Sequence, residues 1–149
     1  MDEKRSSALF IIPGDPVGKG RPKFSTRNGF AQAVTPQKTV NYENLVRLEY
    51  GQQCEGIYFG SEDALRLRVD VYRMPNKGTS QKKASEMIKG AIRPGKKPDM
   101  DNIIKAIQDA LNKVAFDDDN QIVEAVVRKF YSSEPPRTMV MIERIAQNG

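Results

Sequence analysis

Between residues 64 and 74 the chain reads ALRLRVDVYRM, with Leu65, Leu67, Val69 and Val71 alternating with Arg66, Arg68 and Asp70. Successive side chains leave an extended strand on opposite sides, so this period of two predicts a strand with one face in the core and one in water. Two later runs, QIVEAVVRKFY and RTMVMIERIA, have strand character, and the SSEPP between them is turn-forming, which predicts a terminal hairpin. ALFIIPG predicts a first strand near the start. It is stopped by PGDPVGKGRPK, where Pro13, Gly14, Pro16, Gly18, Gly20 and Pro22 exclude regular structure. The next segment, FSTRNGFAQAVTP, carries the hairpin-turn pair Asn28-Gly29 between short runs containing Phe24 and Phe30.

After Thr35 the period changes. Thr35 suits a cap, Pro36 a first helical turn, and Val40, Leu45, Val46 and Leu48 recur at helical spacing, which predicts a helix lying on the sheet. A short basic helix is expected over 80–89, ended by Gly90 and followed by Pro94-Gly95. A third helix is expected over 100–114. On its wheel Asp101, Lys105 and Asn112 share one face, and Ile103, Ile107, Ala110, Leu111 and Val114 form the opposite, core-facing arc. The expected fold class is α+β, a mixed β-sheet with helices packed on it, as a single domain over 1–149.

Composition narrows the function classes. The 149 residues are 38% hydrophobic and 29% charged with no long apolar run, as expected of a soluble, cytoplasmic globular protein without a membrane span. The apolar patch at 8–12 is too short for the core of a signal peptide. The chain has one cysteine and no histidine, which excludes an internal disulfide, Ser-His and Cys-His nucleophile pairs and any imidazole metal ligand. Any base must be a carboxylate, a lysine or a metal-activated water. Lys and Arg outnumber Asp and Glu by 24 to 19. The acids are also locally concentrated, so the rest of the surface is more basic than the net +5 implies, which favours a polyanionic partner, above all nucleic acid.

That concentration lies in KPDMDNIIKAIQDALNKVAFDDDNQI, residues 97–122. Acids that repel one another are commonly gathered by a divalent cation. Plainer readings exist: aspartates at a helix start serve as caps, Asp101 and Lys105 at i,i+4 make an ordinary surface pair, and FDDDNQ suits a solvated turn. An EF-hand is excluded, because a loop starting at Asp117 would have Ile122 at the glycine position and Arg128 at the twelfth-position glutamate. A 15-residue helix spans about 22 Å, so Asp99 and Asp101 stand at one end and the aspartate triplet at the other. A shared cluster would need a two-fold dimer or a bent loop.

The same stretch resembles the signature of the RusA family of Holliday-junction resolvases, of the form KPDxDNxxKxxxDAL followed by DDxQ[IV]. GKGRPKFS, TPQKTVNYE and SQKKASEMIKG are similar to segments of its phage and prophage members. The resemblance implies a homodimeric, Mg²⁺-dependent endonuclease, with Mn²⁺ an acceptable substitute, that cuts branched DNA at four-way junctions by paired symmetric nicks, without a small-molecule cofactor. It assigns metal-binding and catalytic roles to Asp99, Asp101 and Asp119, and a catalytic role to Lys105. The choice of Asp119 rests on counting back from Gln121, so Asp118 stays possible, and Asp117 is expected to spectate. Phosphodiester hydrolysis without histidine suits an ion held by hard oxygen donors, with a lysine to meet charge on the phosphate. Lys19, Arg21 and Lys23 in the glycine-rich loop, and Lys82, Lys83 and Lys89 on the short helix, are expected phosphate contacts; a merely solvated basic surface is the alternative. Two other functions remain open: a less selective nuclease on flaps or other branched DNA, and a junction-binding protein without catalysis.

Overall fold

The computed structural model describes residues 6–27 and 29–146. Its main sheet contains β1 (Ser7–Pro13), β4 (Leu65–Arg73), β5 (Ile122–Tyr131) and β6 (Arg137–Arg144) in the order β1-β6-β4-β5. A separate antiparallel hairpin pairs β2 (Lys23–Arg27) with β3 (Phe30–Val34). The helices are α1 (Gln37–Cys54), α2 (Gln81–Lys89) and α3 (Met100–Leu111). The fold is α+β with a mixed sheet.

Alternation does what the polarity pattern requires. In β1 Ala8, Phe10 and Ile12 are buried and their neighbours exposed; in β4 Leu65, Leu67, Val69 and Val71 all enter the core. α3 joins that core through Ile103, Ala106, Ile107, Ala110 and Leu111, a stripe at helical spacing. On α1 the buried stripe is Thr39, Tyr42, Val46, Tyr50 and Cys54, so the expected face is rotated: Val46 faces inward, whereas Leu48 is 55% exposed. Tyr50 sits edge-on to Phe10 and donates its hydroxyl to the Ile57 carbonyl, which lets a polar aromatic fill an apolar site. Gln53 closes the outer edge of β1, donating to the Ile11 carbonyl at 2.7 Å and accepting from its N–H at 2.8 Å.

Several expectations are corrected. The last two strands form no hairpin: β4 lies between them, parallel to β5 and antiparallel to β6. A parallel neighbour needs a crossover, and α2 and α3 supply it, so β4 to β5 is a strand-helix-strand unit. β5 therefore extends the sheet beyond β4, and the SSEPP turn sends the chain past β4 to a second neighbour. Helix α3 stops at Leu111; Asn112 is extended, Lys113 has φ 67° and Val114 is 37% exposed outside the helix. Asn112 therefore does not share a helical face with Asp101 and Lys105. Pro36, and not Thr35, occupies the N-cap position of α1, with no side-chain cap bond. The β2-β3 hairpin turns where expected, with Gly29 at φ 79°; Asn28 lies outside the described residues. No helix among the described residues is long and apolar enough to cross a membrane.

Candidate active site

The crossover puts the head of α3 beside the C-terminal end of β4: Arg73, the last residue of β4, donates to the Lys97 carbonyl at 2.8 Å. Asp99 occupies the N-cap position of α3, but its carboxylate makes no cap bond. Asp101 lies exposed in the first turn, and Lys105 is exposed one turn later; no ion pair links the two. Both plainer readings of these residues are thus set aside, since neither the cap nor the surface pair is formed. The helix dipole favours negative charge at this end, which helps hold two carboxylates close together in sequence.

The glycine-rich loop forms the opposite wall. Lys19 N–H donates to the Asn102 carbonyl at 3.0 Å, and Gly20 N–H to Thr39 Oγ1 at 3.1 Å, tying the loop to α3 and to α1. Gly18 passes so close to the head of α3 that a Cβ there would stand 2.8 Å from Pro98 Cβ and 3.2 Å from Asn102 Cβ. Between the walls opens a cleft of about 810 Å³, into which Arg21, Lys38, Arg73, Lys97 and Asp99 face. Asp15 also lines it, 3.5 Å from Arg73 Nε, so the charged part of the lining has more cations than acids and includes one candidate ligand, Asp99, a balance that suits a phosphate-bearing strand.

Lys19 does not present a free ammonium to that cleft. Its Nζ is 2.6 Å from Glu43 Oε1 and 3.1 Å from Asp109 Oδ2. Burial pulls its pKa down, but the hydrogen bonds and charges of the two carboxylates outweigh this and lift it above the ordinary lysine value. Lys19 is thus a three-way tie between the loop, α1 and α3. Arg21 and Lys23 are exposed, Lys23 opening β2. On α2, Lys82, Lys83 and Lys89 are all exposed; Ser80 caps the helix by accepting from Lys83 N–H at 3.2 Å, and Gly90 ends it at φ 91°.

The aspartate triplet occupies the far end of α3, and its members differ. Asp117 accepts a hydrogen bond from the Tyr58 hydroxyl, and that bond pushes the tyrosine pKa up. Asp118 caps the 3-10 turn Asp119–Gln121: its Oδ1 accepts from Asp119 N–H at 3.0 Å, while Gln121 Oε1 accepts from Asp118 N–H at 3.0 Å. Gln121 is buried and its Nε2 donates to the carbonyls of Gly60 and Asp63, at 2.7 and 3.2 Å, pinning the turn to the loop before β4. Asp119 is half-buried, and its carboxylate enters none of these bonds.

The donor chemistry at Asp99, Asp101 and Asp119 suits a hard divalent cation, and none of the three carboxylates takes part in a hydrogen bond or ion pair of the fold. Their placement does not gather them: among the described residues no three acidic or cysteine side chains stand close enough to share a metal ion. Asp99 is the N-cap residue of α3 and Asp101 lies in its first turn, whereas Asp119 follows the far end of this 12-residue helix, which is about 18 Å long.

Residues 13–143 match the family described as Endodeoxyribonuclease RusA. The chain belongs to the RusA endodeoxyribonuclease family. A relative from Bacillus subtilis (strain 168), "Uncharacterized protein YqaN", is 41% identical over 140 residues, covering 92% of this chain and 96% of the relative. Family membership makes this RusA protein a nuclease that acts on DNA, with the divalent-metal use and branched-DNA binding general to that family.

Sequence reasoning missed the Glu43–Lys19–Asp109 tie, the Tyr58–Asp117 bond and the Gln121 anchor. Their partners are 24 to 90 positions apart along the chain, beyond the reach of any local period; only the glycines flanking Lys19 hinted at a close backbone approach.

Proposed function

We propose that this RusA protein is a Mg²⁺-dependent endonuclease, with Mn²⁺ an acceptable substitute, that resolves four-way DNA junctions as a homodimer, each subunit nicking one strand. The observation that carries the reading is the pair of unengaged carboxylates of Asp99 and Asp101 at the head of α3, beside a cleft lined by Arg21, Lys38, Arg73 and Lys97. The cations draw a backbone phosphate toward Asp99 and fix its register without reading bases. Mg²⁺, when bound, supplies Lewis acidity that acidifies a water and offsets charge on the phosphate. Asp99 and Asp101 hold it in place of histidines the chain lacks. Lys105, one turn beyond Asp101, meets the negative charge that develops on the phosphoryl oxygens. Asp119 is the third ligand, contributed across the two-fold axis because its own chain holds it a helix length away; Asp118 is already committed to its cap.

Two measurements test this. Nicking of a mobile four-way junction, a flap and a plain duplex is compared with and without Mg²⁺; paired nicks confined to the junction are expected. Equal cutting of the flap would replace the reading with a less selective nuclease, and binding without cutting in either metal would leave a junction-binding protein. Asp101→Asn and Asp119→Asn are each expected to bind the junction and cut nothing. Coexpressed as a mixed dimer, they are expected to regain one of the two nicks, since one composite site then has both native aspartates. A silent mixed dimer would mean that each site lies within one chain.

A further inference from the structure

The sheet face turned away from α1 and α3 ends in a group of side chains for which the nicking chemistry has no use. There the cross-strand rung runs Pro13, Arg137, Tyr72, Phe130, while the adjoining Ile12, Thr138 and Val71 enter the core. Tyr72 and Phe130 stack, with ring centroids 5.4 Å apart and planes 20° from parallel. Each ring carries a guanidinium: Arg137 lies 4.3 Å from the Tyr72 centroid and Arg93 4.1 Å from that of Phe130. Arg128 also approaches Phe130, at 5.4 Å, but Asp70 neutralises it through two bonds of 2.7 Å.

The remaining cations here are anchored on backbone carbonyls, which fix them without cancelling their charge. Arg93 Nε donates to the Lys129 carbonyl at 2.6 Å, and Lys129 Nζ to the Lys96 carbonyl at 2.9 Å. Among the described residues Arg137 pairs with one acid, Glu134, at 3.7 Å and 71% exposed, where screening leaves little net attraction. A groove of about 110 Å³ leads from the cleft toward this surface: it shares Asp15 and Arg73 with the cleft, and its Pro94, Tyr131 and Pro136 are the chain neighbours of Arg93, Phe130 and Arg137.

We propose that Arg93 and Arg137, held in place on Phe130 and Tyr72, form a second phosphate-contact surface that grips the DNA arm running out of the cleft. A guanidinium already fixed on an aromatic face loses less freedom when it donates to a phosphate, and its fork matches the phosphate oxygens. Base stacking is not the mode, because the rings are occupied by the guanidiniums. A second copy of the chain is a poor occupant of this spot, since a two-fold axis through it would set like charges against each other. The proposal rests on the DNA-cutting reading and extends it to a surface away from the carboxylates.

The test is binding to a synthetic four-way junction in EDTA across a KCl series, with the full chain. Arg93→Gln/Arg137→Gln is expected to reduce the slope of log K against log[KCl] by about 3.6, because the dimer carries each substitution twice and four phosphates are no longer neutralised. Arg93→Lys/Arg137→Lys, which keeps the charges, is expected to retain most of the slope. Should the double glutamine variant fold poorly, Arg93→Gln alone, at an exposed loop position, is expected to reduce the slope by about 1.8, one contact being lost from each subunit. An unchanged slope with the junction still bound would overturn this surface and leave the nuclease reading standing. Loss of the dimer in sedimentation with an unchanged slope would overturn it in favour of a protein interface. Wild-type protein that binds no branched DNA even at low salt would overturn both.

Discussion

At the residue scale, three consecutive aspartates have three different environments. Asp117 accepts a hydrogen bond from Tyr58, Asp118 closes a capping box with Gln121, and Asp119 has a carboxylate that the fold does not use. Stability and function therefore separate between neighbours. Asp118→Ala is expected to cost about 1 kcal/mol of folding stability through loss of the cap. Asp119→Asn is expected to leave the denaturation midpoint nearly unchanged and remove junction nicking. Urea unfolding and a nicking assay on both variants check this; a destabilised Asp119→Asn with full activity would exchange the two roles.

At the scale of elements, the site depends on how closely the glycine-rich loop rides on the head of α3. The hydrogen bond from Lys19 N–H to Asn102 and the close approach of Gly18 act across that seam, and Lys19 Nζ braces the loop beyond it, on Glu43 of α1 and on Asp109 in the last turn of α3. Gly18→Ala places a methyl group where Pro98 and Asn102 already stand, so the loop must lift. The expected cost is about 1–3 kcal/mol, as for overpacking elsewhere. The loop's displacement from the cleft is expected to raise KM for the junction more than it lowers kcat, because the carboxylates themselves stay on α3. Steady-state nicking kinetics read the split, and an unchanged KM would detach the loop from substrate binding.

At the scale of the whole molecule, the absence of histidine has a consequence for pH. No side chain here has an ordinary pKa between 5 and 8, so stability is expected to be flat across neutrality. Lys19, Tyr42, Tyr50 and Tyr58 all have pKa values raised above their ordinary 10.5 or 10.0, Tyr42 and Tyr50 chiefly by burial and Tyr58 chiefly by its bond to Asp117. The folded state therefore holds their protons more tightly than the unfolded chain does. That contribution is fully present below about pH 10 and declines as pH rises through the higher folded values. Equal urea midpoints at pH 6 and 8 and a lower one at pH 11 are expected; a marked fall between 6 and 8 would contradict the assignment.

Much of this was legible in one dimension. The β4 alternation, the apolar stripe of α3, the α2 cap signals and the acidic motif all follow from local periods and from residue chemistry that acts within a few positions. The sequence by itself determined which side chains face the core on those elements, and that any metal chemistry here rests on oxygen donors. It did not determine that β4 would part β5 from β6, because strand order depends on which edges pair across more than fifty residues, and a turn signal describes only the turn. Tertiary structure alone decided that Lys19 is paired, that Asp118 is a cap and that Arg93 and Arg137 meet Phe130 and Tyr72. That α3 holds Asp119 away from Asp99 and Asp101 was legible from the helix length, a rigid spacer; only the tertiary structure decided that no bent loop gathers the three among the described residues.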